Sequence, residues 1–127
     1  MKKVIVFGSF DPLHKGHLNF LTQAKKLGDF LTVVVARDEN IQKRKKRKVK
    51  LEQDQRKKVI EETGLADKII LGDKTGEYTI INKEKPDVIA IGYDQKMPQT
   101  LKDKLKQYRI ITLKPYKANI YKSSKIV

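Results

Sequence analysis

Val4-Ile5-Val6-Phe7-Gly8-Ser9-Phe10-Asp11-Pro12-Leu13-His14-Lys15-Gly16-His17 decides how the rest of the chain is read. A four-residue apolar run meets a turn that begins at Gly8. Beyond the turn Leu18, Leu21, Ala24 and Leu27 recur at helical spacing. A strand entering a helix through a Gly-containing turn is a phosphate-binding arrangement. The main-chain N–H groups of the first helical turn point at the ligand, and the helix dipole favours an anion there. His14 and His17 sit at that end with Gly16 between them, and a spacing of three places them on one helical face. Imidazole donates hydrogen bonds to phosphate oxygens and carries charge near neutral pH. On spacing alone a His-x-x-His pair reads equally as surface polarity or as half of a metal site. The chain has two His and no Cys, too few for a structural zinc site built from those residues. Position favours a ligand, because open α/β sheets bind at the carboxyl ends of their strands.

Working outward, apolar runs alternate with helical patterns. Lys3 to Phe7 reads as the first strand and Lys15 to Leu27 as the first helix, stopped by Gly28-Asp29. Phe30 to Ala36 reads as a buried second strand. Glu52 to Thr63 reads as a helix with Val59 and Ile60 inward, stopped by Gly64. Lys68 to Leu71 is a third strand, and Glu77 to Lys85 a short helix before Pro86. Val88 to Ile91 is a fourth strand, Gln99 to Gln107 a further amphipathic helix, and Arg109 to Leu113 a fifth strand. Tyr121 to Val127 reads as the start of a short helix. Strands separated by helices pair in parallel through right-handed crossovers. The expectation is an α/β open sheet of five parallel strands, helices on both faces, in a single domain spanning residues 1–127.

The 127 residues carry a formal net charge of +14, which attracts anions and makes binding salt-sensitive. Nucleic acid, nucleotides and phosphorylated metabolites are the candidate partners. The absence of cysteine excludes a disulfide scaffold and fits a reducing cytoplasm. No run is long enough to cross a bilayer, and Met1-Lys2-Lys3 leads into a strand without a secretory pattern, so no membrane association is expected. The charge concentrates in Lys43-Arg44-Lys45-Lys46-Arg47-Lys48 and Lys50. This run reads as a solvated loop, as a mobile loop closing over a triphosphate, or as a nucleic-acid patch. The window has no aromatics to stack on bases, which weighs against the last.

Gly8 to His17 resembles the signature of the HxGH nucleotidyltransferase superfamily. That superfamily includes the cytidylyltransferases, pantetheine-phosphate adenylyltransferase and the archaeal type of FAD synthetase. The resemblance implies a Rossmann-like sheet of strand order 3-2-1-4-5. It also implies nucleotidyl transfer, in which a substrate phosphate attacks the α-phosphorus of a nucleoside triphosphate and pyrophosphate leaves. The attacking phosphate is ionised at neutral pH, so the protein's task is positioning and charge neutralisation.

By the same resemblance His14, His17 and Lys45 are the catalytic residues. Gly8, Ser9, Phe10 and Gly16 belong to the nucleotide-binding turn, with Phe10 weighted towards packing. Asp11 is read as a cap of the turn or helix, with help in placing a metal as the alternative. Lys48 and Arg56 are read as phosphate-binding, with the lysine register open by a residue or two. Gly92 and Asp94 follow the fourth strand, where Asp94 accepts from a ribose hydroxyl or a base amine, or caps a turn. Ser123 and Ser124 match the superfamily's C-terminal Ser/Thr motif. Mg²⁺ accompanies the nucleotide, and relatives are commonly homodimers.

Three features resemble the archaeal-type FAD synthetases: Val35-Ala36-Arg37-Asp38-Glu39, the Lys/Arg loop ending at Arg56, and Gly92-Tyr93-Asp94-Gln95. The expected substrates are therefore ATP and FMN. The rival is glycerol-3-phosphate cytidylyltransferase, using CTP and glycerol 3-phosphate. Its tail carries Arg-Thr-x-Gly before the Ser/Thr motif, where this chain has Lys117-Ala118-Asn119-Ile120-Tyr121-Lys122. A reading of another class is a non-catalytic nucleotide- or RNA-binding module, against which the intact histidine pair speaks.

Overall fold

Val4, Ile5 and Val6 are all buried, so the first strand is covered on both faces and lies inside the sheet. A computed structural model of the chain describes residues 1–10, 13–39, 42, 52–72, 79–92 and 107–114. The elements are β1 (Lys3–Gly8), α1 (Lys15–Lys25), β2 (Phe30–Val35), α2 (Gln53–Glu62), β3 (Lys68–Leu71), α3 (Thr79–Glu84), β4 (Val88–Ile91) and β5 (Arg109–Thr112). They form one five-stranded sheet of order β3-β2-β1-β4-β5, parallel throughout. This is the order that the resemblance implies.

Alternation along the strands sorts the core into two layers. Val4 and Val6, Leu31, Val33 and Val35, and Val88 and Ala90 face one side, where Leu21 and Ala24 of α1 and Ile60 of α2 cover them. Ile5, Val34 and Ile89 face the other side with Ile81 of α3. Helices therefore lie on both faces. The element ends differ slightly from the sequence reading. β1 runs on to Gly8, while β2 and β5 stop one residue sooner than expected. α1 ends at Lys25 rather than Leu27, because the chain must fold tightly past the start of β1. A Cβ at Gly28 would lie 2.7 Å from the Lys2 carbonyl oxygen and 2.9 Å from Val4 Cγ2. The expected helices at 99–107 and 121–127 lie outside the described residues.

The amino ends of the strands are joined by a recurring device. Asp29, Asp67 and Asp87 each stand one residue before a strand. Each carboxylate accepts from a main-chain N–H of the neighbouring strand segment: Asp29 from Lys2 at 2.8 Å, Asp67 from Leu31 at 2.8 Å, Asp87 from Lys3 at 2.7 Å. Each aspartate's own N–H returns a bond to the same partner's carbonyl, at 2.8, 2.9 and 2.8 Å respectively. A one-residue slip would turn every strand side chain to the wrong face, and these paired bonds oppose it. Asp67 also accepts from Lys25 Nζ at 2.7 Å, tying α1 to the same corner. The Lys25 ammonium and the Leu31 N–H hold the Asp67 carboxyl below the usual carboxylate range.

Candidate functional site

At the opposite end of the sheet, Gly8 closes β1 and the chain turns sharply. Phe10 has φ of 51°, a left-handed conformation that a bulky residue rarely adopts, and its side chain is only 2 % exposed. Burial of the ring in the α1 face of the core offsets that backbone strain. The ring lies flat against Gly8. A Cβ there would be 2.7 Å from Phe10 Cε2 and Cζ, so glycine is required by space. The Phe10 ring in turn meets the His17 imidazole edge to face, with centroids 5.1 Å apart and planes at 70°.

His14 is the N-cap of α1 and His17 is the third residue of its first turn. The two form a reciprocal capping box out of imidazoles. His14 Nδ1 accepts from the Gly16 N–H at 3.0 Å, and His17 Nδ1 accepts from the His14 N–H at 3.2 Å. The rings stack with centroids 3.8 Å apart and planes at 24°. These bonds fix the chemistry of the pair. A nitrogen that accepts from a main-chain N–H carries no proton, so the single proton of each neutral ring is on Nε2. The site therefore presents two Nε2–H donors side by side, held by the backbone. The sequence reading aims the open N–H groups of the helix at a ligand. In the structure the imidazoles take the N–H groups of His14 and Gly16, and the donors move out to Nε2.

Arg56 is 0 % exposed, on the inner face of α2 one turn before Ile60. Its Nη1 donates to the Ser9 carbonyl at 2.8 Å and its Nη2 to Asp38 Oδ1 at 2.6 Å. The Asp38 N–H donates to Gln53 Oε1 at 3.1 Å, so α2 grips the segment after β2 twice. Arg56 thus supports the turn that carries Ser9 and Phe10 from behind. Sequence reasoning places Arg56 among the phosphate ligands. It misses Asp38 and Gln53, because no spacing rule pairs residues 18 or 15 apart across a loop. Half-buried Arg37 donates from Nε to the Gly72 carbonyl at 2.7 Å, across the carboxyl ends of β2 and β3. The sequence reading quotes Arg37 without giving it a role. Gly92 is half-buried at the carboxyl end of β4, next to β1 in the sheet. The structure therefore gathers Gly8, Ser9, Phe10, His14, Gly16, His17, Arg56 and Gly92 at one end of the sheet. Lys45, Lys48, Asp94, Ser123 and Ser124, with Asp11, lie outside the described residues.

Comparison with known proteins identifies the relatives of this chain. A family model described as cytidylyltransferase-like matches residues 5–127. The FAD synthase of Ferroglobus placidus is 50% identical over 95 residues, covering 75% of this chain and 61% of that enzyme. The FAD synthase of Archaeoglobus profundus is 40% identical over 129 residues, covering 98% of this chain and 82% of that enzyme. Among solved structures, a lipopolysaccharide core biosynthesis protein from Thermoplasma volcanium superposes with a TM-score of 0.84 at 35% identity. That superposition covers 91% of this chain and 98% of the other.

Proposed function

We propose that this chain, which belongs to the cytidylyltransferase-like family and is a nucleotidyltransferase, adenylylates FMN to FAD. An oxygen of the FMN phosphate attacks the α-phosphorus of ATP, the bond from that phosphorus to the β-phosphate bridge breaks, and pyrophosphate leaves. The FAD synthase relatives support the substrate pair. The observation that carries the mechanism is the backbone-locked pair of Nε2–H donors on His14 and His17.

Negative charge grows on the phosphate oxygens during transfer, and fixed donors aimed at those oxygens need no reorganisation when it appears. Donors held by the backbone suit this task, because they keep their geometry while the charge of the nucleotide changes. Phe10 holds His17 from the side. Ser9 is positioned by Arg56. In this reading Lys45 and Lys48 neutralise the triphosphate, Gly92 and Asp94 receive the nucleoside, and Ser123 and Ser124 bind phosphate. Magnesium would come with the nucleotide substrate and help to neutralise the triphosphate. The Asp38 carboxylate is engaged with Arg56. The enzyme works in the cytoplasm as a homodimer. Among the described residues no helix is long and apolar enough to cross a membrane.

The test is pyrophosphate release with Mg²⁺, crossing ATP and CTP against FMN and glycerol 3-phosphate. The expected result is turnover with ATP and FMN alone. Turnover confined to CTP and glycerol 3-phosphate would overturn the flavin assignment. His14→Ala and His17→Ala should each lower kcat by about 100-fold or more, the scale seen when a transition-state donor is removed. RNA binding that survives both substitutions, with no turnover in any combination, would favour the binding-module reading.

A further inference from the structure

Among the described residues two arginines lie at this end of the sheet, and their surroundings divide them. Arg56 is fully buried, and its Nη1 and Nη2 both donate to protein oxygens. Arg37 is half-buried, and among the described residues its hydrogen bonding is confined to Nε, which donates to the Gly72 carbonyl. No ion pair engages it among those residues; the neighbouring Asp38 carboxylate is turned to Arg56. An arginine held at Nε presents its two terminal nitrogens as an oriented fork, the geometry that grips a phosphate or carboxylate through two parallel bonds.

The position of that fork is informative. The histidine pair follows β1, Arg37 follows β2, and Gly72 follows β3. Strand spacing of about 4.8 Å puts Arg37 roughly one strand away from the β1 turn, on its β3 side. Gly92 follows β4, on the other side of β1. In-line displacement at the α-phosphorus puts the attacking phosphate opposite the leaving pyrophosphate, so acceptor and nucleoside lie in different directions from that phosphorus. The β4 side is given to the nucleoside in the functional reading, which leaves the β2–β3 side for the acceptor.

We propose that Arg37 is the receptor for the phosphate of the acceptor substrate, and so a specificity-determining residue for phosphorylated over unphosphorylated acceptors. This inference rests on the FMN adenylyltransferase reading. Arg37 grips the acceptor phosphate through its Nη groups and leaves one oxygen to attack the α-phosphorus. Nε stays bonded to Gly72, so the fork is aimed before substrate arrives.

Steady-state kinetics on wild type, Arg37→Gln and Arg37→Lys would vary FMN and ATP separately, alongside equilibrium binding of FMN and riboflavin. Loss of a charged bidentate contact should raise the KM for FMN by about 10- to 100-fold. The KM for ATP and the affinity for riboflavin should stay within about 2-fold, and Arg37→Lys should recover part of the FMN affinity through its charge. An unchanged KM for FMN, or an equal rise for ATP or loss of riboflavin binding, would overturn the proposal while leaving the functional reading intact. Wild-type protein that fails to adenylylate FMN would instead refute the functional reading. Arg37 would then be judged by inorganic phosphate alone, followed at the nitrogen resonances of the guanidinium groups. A saturable shift at Arg37 with none at buried Arg56 would sustain the anion site. No shift at Arg37 would end it.

Discussion

Gly8→Ala tests whether the turn after β1 carries the chemistry. The added methyl would sit 2.7 Å from two ring carbons of Phe10, where ordinary contact begins at 3.4 Å. The ring must withdraw by about 0.7 Å, and it is 2 % exposed with core on its far side. Overpacking of this kind costs about 1–3 kcal/mol. For a domain of this size that lowers Tm by about 4–10 °C, out of a total stability of about 5–15 kcal/mol. The same displacement moves the edge of Phe10 that meets His17, so kcat should fall well below wild type at temperatures where the variant is still folded. Gly28→Ala supplies the control. Its methyl would meet the Lys2 carbonyl oxygen at 2.7 Å, a clash of equal depth at the opposite end of the sheet. Thermal melts and single-turnover rates on both variants separate the two effects. Both should lose stability, and only Gly8→Ala should lose rate. Equal rates in the two folded variants would refute the chain of contact from Gly8 through Phe10 to His17.

Two further outcomes can be checked on stability and kinetics together. Arg56→Met should cost about 2–4 kcal/mol in urea unfolding, because the Asp38 carboxylate and the Ser9 carbonyl lose their shared donor. A loss under about 0.5 kcal/mol would mean that the guanidinium is not bearing on the turn. Asp67→Asn keeps an acceptor for the Leu31 N–H but loses the charge facing Lys25. Because the folded Asp67 carboxyl titrates below its unfolded value, its contribution is present at neutral pH and fades as pH falls through the folded value. The gap between wild type and variant should therefore narrow from pH 7 to pH 3, and it should be small and salt-sensitive, since both side chains are about one-third exposed. A gap that widens on acidification would contradict the sign of the shift.

The strands and the histidine turn were legible because their signals are local. Continuous apolar runs mark strands buried on both faces, and Gly8 to His17 places two imidazoles at the start of a helix without reference to anything distant. The capping box was not legible. It depends on which ring nitrogen faces which N–H, and on main-chain angles at His14 that the residue names do not encode. Arg56 carried a usable sign of burial, since Ile60 lies one helical turn beyond it on the inward face. Its long side chain and charge suggested solvent or phosphate instead, and its partners Ser9 and Asp38 come from two other segments. Arg37 was visible but mute for a related reason. The carbonyl that orients it belongs to Gly72, on a different strand.

The three aspartate clasps have a bearing on how such a protein diversifies. β2, β3 and β4 each have their phase settled where they begin, by bonds to the neighbour's main chain, 2.7–2.8 Å long from each carboxylate. The segments that follow β2, β3 and β4 lie at the other end of the sheet from these clasps. They are at liberty to lengthen, shorten or change composition over generations without putting the sheet out of step. A lineage built this way can exchange one acceptor for another by rewriting its crest alone, while an unaltered base keeps the histidine pair in position.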